Sequence, residues 1–338
     1  MNKKVYIIAE IGINHCGKID KAKKLIDIAK KSGADAVKFQ SYKTDKLISK
    51  NEELMPYQKK NIKKKINQYQ MLKQNELSIN DHKILIRFCK NKKIDFISTP
   101  YDIQSAKLLI KLGLKIIKIA STDITNLELI RFILRYKIQI ILSSGATSQQ
   151  ELDMLFKIIG NKNNLRKISL LHCISFYPAP IETLNLSVIK NLYKRYKVKV
   201  GFSDHSLSTM TGSFATLLGA DIIEKHITLN QKLVGPDHKA SLEPKQFIEY
   251  VKAIRLAEKS LGDGIKKVEK IETLTKKSMQ KSLIAKINLK RGTKINYKNL
   301  SSMRPANGIS PLYIDKIVGK KLKHPKNKNE ILLWKDLK

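Results

Sequence analysis

From the N-terminus to about residue 262, short and continuously apolar runs alternate with longer amphipathic stretches. Eight such runs stand out: VYIIAEIG, DAVKFQ, IDFISTP, LKIIKIAS, IQIILSSG, KISLLHC, VKVGFSD and ADIIEKHIT. They are rich in β-branched residues and lack a strict in–out alternation, which marks strands buried on both faces. Between them the spacing turns helical. In KAKKLIDIAKKSG, Ala22, Leu25, Ile26 and Ala29 share one face and Gly33 can end the helix. Further helices are predicted over residues 103–112, 127–136, 149–159, 207–219 and 244–261.

Continuously apolar strands separated by helices imply a parallel sheet, and eight such units imply a closed (β/α)8 TIM barrel over residues 1–262. The longest interruption, residues 43–78, is rich in Lys, Gln and Asn; a loop of that length at a barrel mouth acts as a lid or a substrate wall. After the last helix, GDGIKKVEKIET reads as a linker, placed at residues 263–275. Residues 276–338 carry the short strand SLIAKI, the turn signals KRGTK and RPANGIS, and a short helix near residues 313–318. They form a compact second domain.

Composition trims the functional options. The chain has 338 residues, 42% of them hydrophobic, enough for a sizeable core. Its formal charge of +37 raises nucleic acid or an anionic membrane as partners. The lysines recur in almost every block of ten, however, with clusters at 59–65 and 316–328 and no interleaved aromatic platform. Neither nucleic acid nor membrane is therefore expected as a partner. No stretch reaches the roughly 20 apolar residues of a membrane helix, and the N-terminal run is too short for a signal peptide. Cys16, Cys89 and Cys173 are far apart without a CxxC pair, which suits a reducing cytoplasm.

Candidate chemistry lies at the C-terminal strand ends, where barrel enzymes place it. The eight runs end, in order, with Glu10 and Asn14, Lys38 and Gln40, Ser98 and Thr99, Lys118 and Ser121, Ser143 and Ser144, His172, Ser203 and His205, and Glu224 and His226. Lysines inside strands need an anionic partner. With Thr99, Ser121, Ser143 and Ser203, Lys38 and Lys118 would make a phosphate cradle. Taken singly, His205 and His226 each read as a hydrogen-bonded core residue. As a pair on neighbouring strand ends, they can hold one divalent ion with coordination positions left open. Glu10, Asp123 and Asp237 add carboxylates, and Asp204 and Glu224 are expected to orient the histidines.

These residues fall in stretches that resemble the sialic acid synthase family: AEIGINHCGKIDKAKKLI, GADAVKFQS, DFISTPYD, KIAS, IILSSG, LLHCISFYPAP, GFSDHS, IEKHITL, GPDHKASLEP and RPANGIS. The resemblance implies condensation of phosphoenolpyruvate with an N-acetylmannosamine-like sugar, giving N-acetylneuraminate and phosphate. It further implies a barrel followed by an antifreeze-like SAF domain, and Mn2+, with Mg2+ or Co2+ as alternatives, held by His205 and His226. Phosphoenolpyruvate contacts would be Lys38, Thr99, Lys118, Ser121, Ser143 and Ser203. Sugar contacts would be Gln40, Tyr177 and Asp237, with Arg304 reaching in from the small domain of the partner in a domain-swapped homodimer. Glu10 and Asp123, with the two histidines, would carry catalysis.

Some positions depart from the family pattern. Many members read SGE where this chain has Ser121, Thr122 and Asp123, and Ser175 and Tyr101 replace Asn and Phe of other members. Those changes leave the sugar open, with a 6-deoxy-diacetamido sugar giving N,N'-diacetyllegionaminate or pseudaminate as the alternative. An answer of another class is a non-catalytic, polyanion-binding barrel.

Overall fold

All eight apolar runs form strands, and they pair in chain order to close a parallel barrel. A computed structural model describes residues 4–62 and 66–338; Lys63, Lys64 and Lys65 of the first lysine cluster lie outside the described residues. The strands are β1 (Tyr6–Gly12), β2 (Ala36–Ser41), β3 (Asp95–Pro100), β4 (Ile116–Ile119), β5 (Gln139–Ser143), β6 (Ile168–Cys173), β7 (Lys199–Asp204) and β8 (Ile222–His226). Closure comes from β1 pairing with both β2 and β8, so that Glu10 stands opposite Lys38 on one side and His226 on the other.

Two apolar layers follow from the pleat, which sends successive side chains to opposite faces. Ile8, Ala36, Ile97, Ile141, Leu171 and Ile222 point inward and fill the barrel. The alternate set, including Ile7, Val37, Ile117, Ile140, Leu170, Val200, Phe202 and Ile223, packs outward beneath the helices. A helix at Ile19–Ser32 buries the expected Ala22, Leu25, Ile26 and Ala29, and Gly33 ends it in the left-handed region at φ 90°. That conformation suits a residue without a β-carbon. The helices Gln149–Ile159 and Pro244–Leu261 run over the expected residues, whereas the one expected over 207–219 is shorter, Thr211–Leu217.

The long insertion is built from short helices, Thr44–Leu47, Pro56–Asn61 and Gln68–Asn75. It has its own small core of Tyr42, Leu54, Ile62, Met71 and Leu72, packed against Tyr101 from the end of β3.

The chain divides between Asp263 and Gly264. Within the second unit, residues 264–281 are all exposed, and the segment expected as a plain linker, 263–275, holds a 3-10 turn, Lys270–Glu272, and runs into a helix, Thr273–Met279. Beyond it β9 (Ser282–Ala285) pairs antiparallel with β10 (Leu300–Met303) over a core of Leu283, Ala285, Ile295, Leu300, Ile317 and Leu332. No helix among the described residues is long and apolar enough to cross a membrane.

Candidate active site

One step above the inward apolar floor, the same pleat parity presents polar groups. Ile8 is followed by Glu10, Ala36 by Lys38, Ile97 by Thr99, Ile116 by Lys118, Ile141 by Ser143, Leu171 by Cys173 and Ile222 by Glu224 and then His226. Ser203 completes the ring from β7.

Both lysines are buried, and each faces anions or hydroxyls. Lys38 Nζ lies 3.2 Å from Glu10 Oε2, 3.3 Å from Glu224 Oε1 and 3.5 Å from Thr99 Oγ1. Lys118 Nζ donates to Ser143 Oγ at 2.5 Å and lies 3.7 Å from Glu224 Oε1. Ser203 Oγ donates to the same carboxylate oxygen at 3.0 Å. Glu224, expected only to orient histidines, is thus the shared counter-ion of the two lysines. Burial alone would raise its carboxyl; Lys118 and Lys38 more than offset that and hold it down to about 2. Glu10 behaves oppositely, because burial pushes its carboxyl up to about 8 against the pull of Lys38.

Ser121 lies beside this ring. Its Oγ is 3.2 Å from Cys173 Sγ and accepts from the Gly145 backbone at 3.0 Å. A β-carbon on Gly145 would stand 2.1 Å from Ser175 Oγ, 2.7 Å from Cys173 Sγ and 2.8 Å from Ser121 Oγ. Only glycine lets these three groups converge.

The two histidines lie together, with ring centroids 5.7 Å apart. His205 Nδ1 lies 2.6 Å from the carbonyl oxygen of Ile174. Since that oxygen only accepts, the ring proton belongs on Nδ1, and Nε2 keeps its lone pair. His226 Nδ1 is buried without a hydrogen-bond partner. Burial holds His205 down to about 4 and His226 well below its ordinary value, so both rings are neutral at physiological pH. Two neutral imidazoles, one with an orphaned nitrogen, fit a divalent ion. Among the described residues no third His, Cys, Asp or Glu is placed to complete a metal-binding group, so the other coordination positions would be open.

The residues expected to contact the sugar come from separate elements, Gln40 from β2 and Asp237 from the loop after β8. A β-carbon at Gly12 would stand 3.1 Å from Glu10 Oε1 and 3.7 Å from both Asp237 Oδ2 and Gln40 Nε2. Burial pushes Asp237 up to about 6. Tyr101 is held well above its ordinary value by burial and by the carboxylates of Glu10, Asp123 and Asp237, which puts Asp123 within electrostatic reach of the same mouth. The insertion reaches this loop too, for Asn61 Nδ2 donates to the Pro236 carbonyl at 2.8 Å. Tyr177 lies over His205 at 4.2 Å and edge-on to His226. Arg304 is exposed on the second unit, just after β10.

Three strand-end residues face the other way. His172 gives its ring to the Leu184 carbonyl at 2.7 Å and packs on Phe202. Ser98 bonds Ser41 outside the barrel. Asp204 bonds Lys225 behind the strands and does not orient the histidines by direct contact. Cys173, which takes the inward place on β6, had no signal in the sequence beyond alternation. A cleft of about 440 Å³, lined by Val5, Asp221 and Glu258 among others at the opposite strand ends, contains none of the rim residues.

Fold and rim together define a barrel enzyme with a buried cationic centre. The NeuB family model matches residues 25–266 and the SAF domain model residues 280–338. The chain belongs to the NeuB family, that of the sialic acid synthases. It is 44% identical to the N,N'-diacetyllegionaminic acid synthase of Campylobacter jejuni, over 94% of this chain and 96% of that one. To the N,N'-diacetyllegionaminic acid synthase of Legionella pneumophila it is 39% identical, over 98% and 94%. Among solved structures, the N-acetylneuraminic acid synthetase of Leptospira borgpetersenii superposes with a TM-score of 0.72 at 33% identity, over 81% of this chain and 90% of that one.

Proposed function

We propose that this enzyme condenses phosphoenolpyruvate with a 6-deoxy-diacetamido hexose and water, yielding N,N'-diacetyllegionaminate and phosphate. The observation that carries the chemistry is the buried pair Lys38 and Lys118, ringed by Thr99, Ser143 and Ser203 and bridged by Glu224. Such a ring suits a small polyanion, whose charge compensates the lysines. The sugar is supported by the 44% identity to a diacetyllegionaminic acid synthase, against 33% for the N-acetylneuraminic acid synthetase structure. N-acetylmannosamine, first expected from the sequence, therefore takes second place.

In this reading Lys38, Lys118 and the Ser121, Ser143 and Ser203 hydroxyls hold the phosphate and carboxylate. Gln40, Tyr177 and Asp237 seat the sugar, with Arg304 contributed by a partner chain in a homodimer. C3 of phosphoenolpyruvate attacks the sugar aldehyde carbon, positive charge develops at C2, water adds there, and phosphate leaves. Glu10, whose carboxyl is raised by burial, is the proton donor to the aldehyde oxygen as the carbon–carbon bond forms. Asp123 takes the proton of the incoming water. A divalent ion, Mn2+ first and Mg2+ or Co2+ as alternatives, would be held by His205 and His226 and supply Lewis acidity toward the sugar. A cytoplasmic location completes the proposal.

The test is incubation with phosphoenolpyruvate, Mn2+ and each of three sugars: the diacetamido-trideoxy hexose, N-acetylmannosamine and its 6-phosphate. Phosphate release and product mass are read. Fastest turnover of the diacetamido sugar is expected. Faster turnover of N-acetylmannosamine would reverse the sugar assignment, and no release with any sugar would overturn the reaction.

A further inference from the structure

Behind the histidine pair, on the outer face of β7 and β8, lies a second buried polar cluster. Asp204 and Lys225 are register partners across the two strands, and both are 0% exposed. Along the chain Asp204 sits between Ser203 and His205, and Lys225 between Glu224 and His226. Lys225 Nζ is 3.0 Å from Asp204 Oδ2 and donates to the Ser206 carbonyl at 2.5 Å. Asp204 Oδ1 accepts from Ser206 N at 2.9 Å and Ser206 Oγ at 2.7 Å. Its Oδ2 accepts from Thr211 Oγ1 at 2.5 Å and Tyr250 Oη at 2.9 Å. The Tyr250 ring lies 5.1 Å from the ammonium, in a slot that Gly212 keeps open: a β-carbon there would stand 2.5 Å from the ring.

A fully desolvated ion pair is a weak source of net stability, because desolvation offsets most of its attraction and apolar side chains of like volume do as well. What it does supply is register. A one-residue slip between β7 and β8 would leave Asp204 and Lys225 buried and unpaired, and it would turn His205 or His226 away from the rim. Two imidazole nitrogens sharing one ion must each stand about 2.0–2.1 Å from it, so tenths of an ångström at these strand ends matter.

We propose that Asp204, Lys225, Thr211 and Tyr250 form a positioning network that sets the spacing of His205 and His226 for a divalent ion. The inference rests on the metal reading of that histidine pair. The network never touches the ion or either substrate; it acts through the backbone of the two strands.

The experiment measures Mn2+ affinity of the full chain by electron paramagnetic resonance, without substrates, alongside thermal stability in chelator. Thr211→Val removes the hydroxyl while keeping the shape, Thr211→Ser restores a hydroxyl, and Tyr250→Phe removes one bond to Asp204. Thr211→Val and Tyr250→Phe are expected to weaken Mn2+ binding by roughly tenfold, the lower end of what residues supporting metal ligands contribute, with Thr211→Ser close to wild type. Wild-type Mn2+ affinity in Thr211→Val and Tyr250→Phe, with only the melting temperature lowered, would show a purely structural cluster and overturn the proposal. Absence of Mn2+ binding by the wild type would overturn the metal reading itself, and this inference with it.

Discussion

Glu224→Gln isolates the charge balance at the rim, because glutamine keeps the shape and the hydrogen bond from Ser203 while removing the charge shared by two lysines. With Nζ atoms at 3.3 and 3.7 Å from Glu224 Oε1, each attraction is gross ~4–5 kcal/mol at an effective dielectric of ~20. Much of that is offset by the cost of desolvating the carboxylate; neutralising one partner of a buried pair costs roughly 3–5 kcal/mol net. For a domain of this size each kcal/mol moves the midpoint by ~2–4 °C, so the melting temperature should fall by roughly 10 °C. On the proposed assignment, saturating phosphoenolpyruvate brings its own negative charge to the same ammonium groups. The gap between wild type and variant should then narrow, and inorganic phosphate should narrow it less. The carboxyl of Glu224 lies below its ordinary value, so its stabilisation is present at neutral pH and is lost as pH falls from ~4.5 toward ~2. The gap should therefore also close in acid. Scanning calorimetry without metal, from neutral to acid pH and with no ligand, phosphoenolpyruvate or phosphate, measures each of these. A variant as stable as wild type without ligand, or a gap unchanged by phosphoenolpyruvate, would refute the cradle.

Further outcomes follow from the same rim. Glu10→Gln should show the opposite pH behaviour: a carboxyl raised to about 8 keeps its proton in the folded state, so wild-type stability falls as pH rises from ~4.5 to ~8, and the variant should lack that slope in urea titrations at pH 6 and 8.5. His205→Ala and His226→Ala should each abolish Mn2+ binding and turnover, and chelator should do the same to the wild type; full activity in chelator would contradict the metal. Arg304→Ala should raise KM for the sugar at least ~10-fold while leaving that for phosphoenolpyruvate within about twofold, consistent with loss of one charged hydrogen bond; equal losses would contradict its assignment to the sugar.

Much of this architecture was legible along the chain. Eight apolar runs with helical spacing between them demand a parallel barrel, since each strand must bury both faces. A barrel in turn puts Lys38, Lys118, His205 and His226 at one rim, whatever their separation in sequence. The facing of each polar residue was harder to read. His172 and Ser98 look like rim residues in the sequence and Asp204 like a group orienting the histidines, yet the pleat turns all three outward, while Cys173 and Glu224 turn in. Alternation has a period of two, so a shift of one residue in where a strand enters the barrel exchanges its two faces, and only the register with neighbouring strands settles that. Convergence likewise belongs to the folded chain. Glu10, Gln40 and Asp237 come within reach of Gly12 because barrel closure brings β1, β2 and the loop after β8 side by side, a consequence of three-dimensional packing that no local pattern encodes.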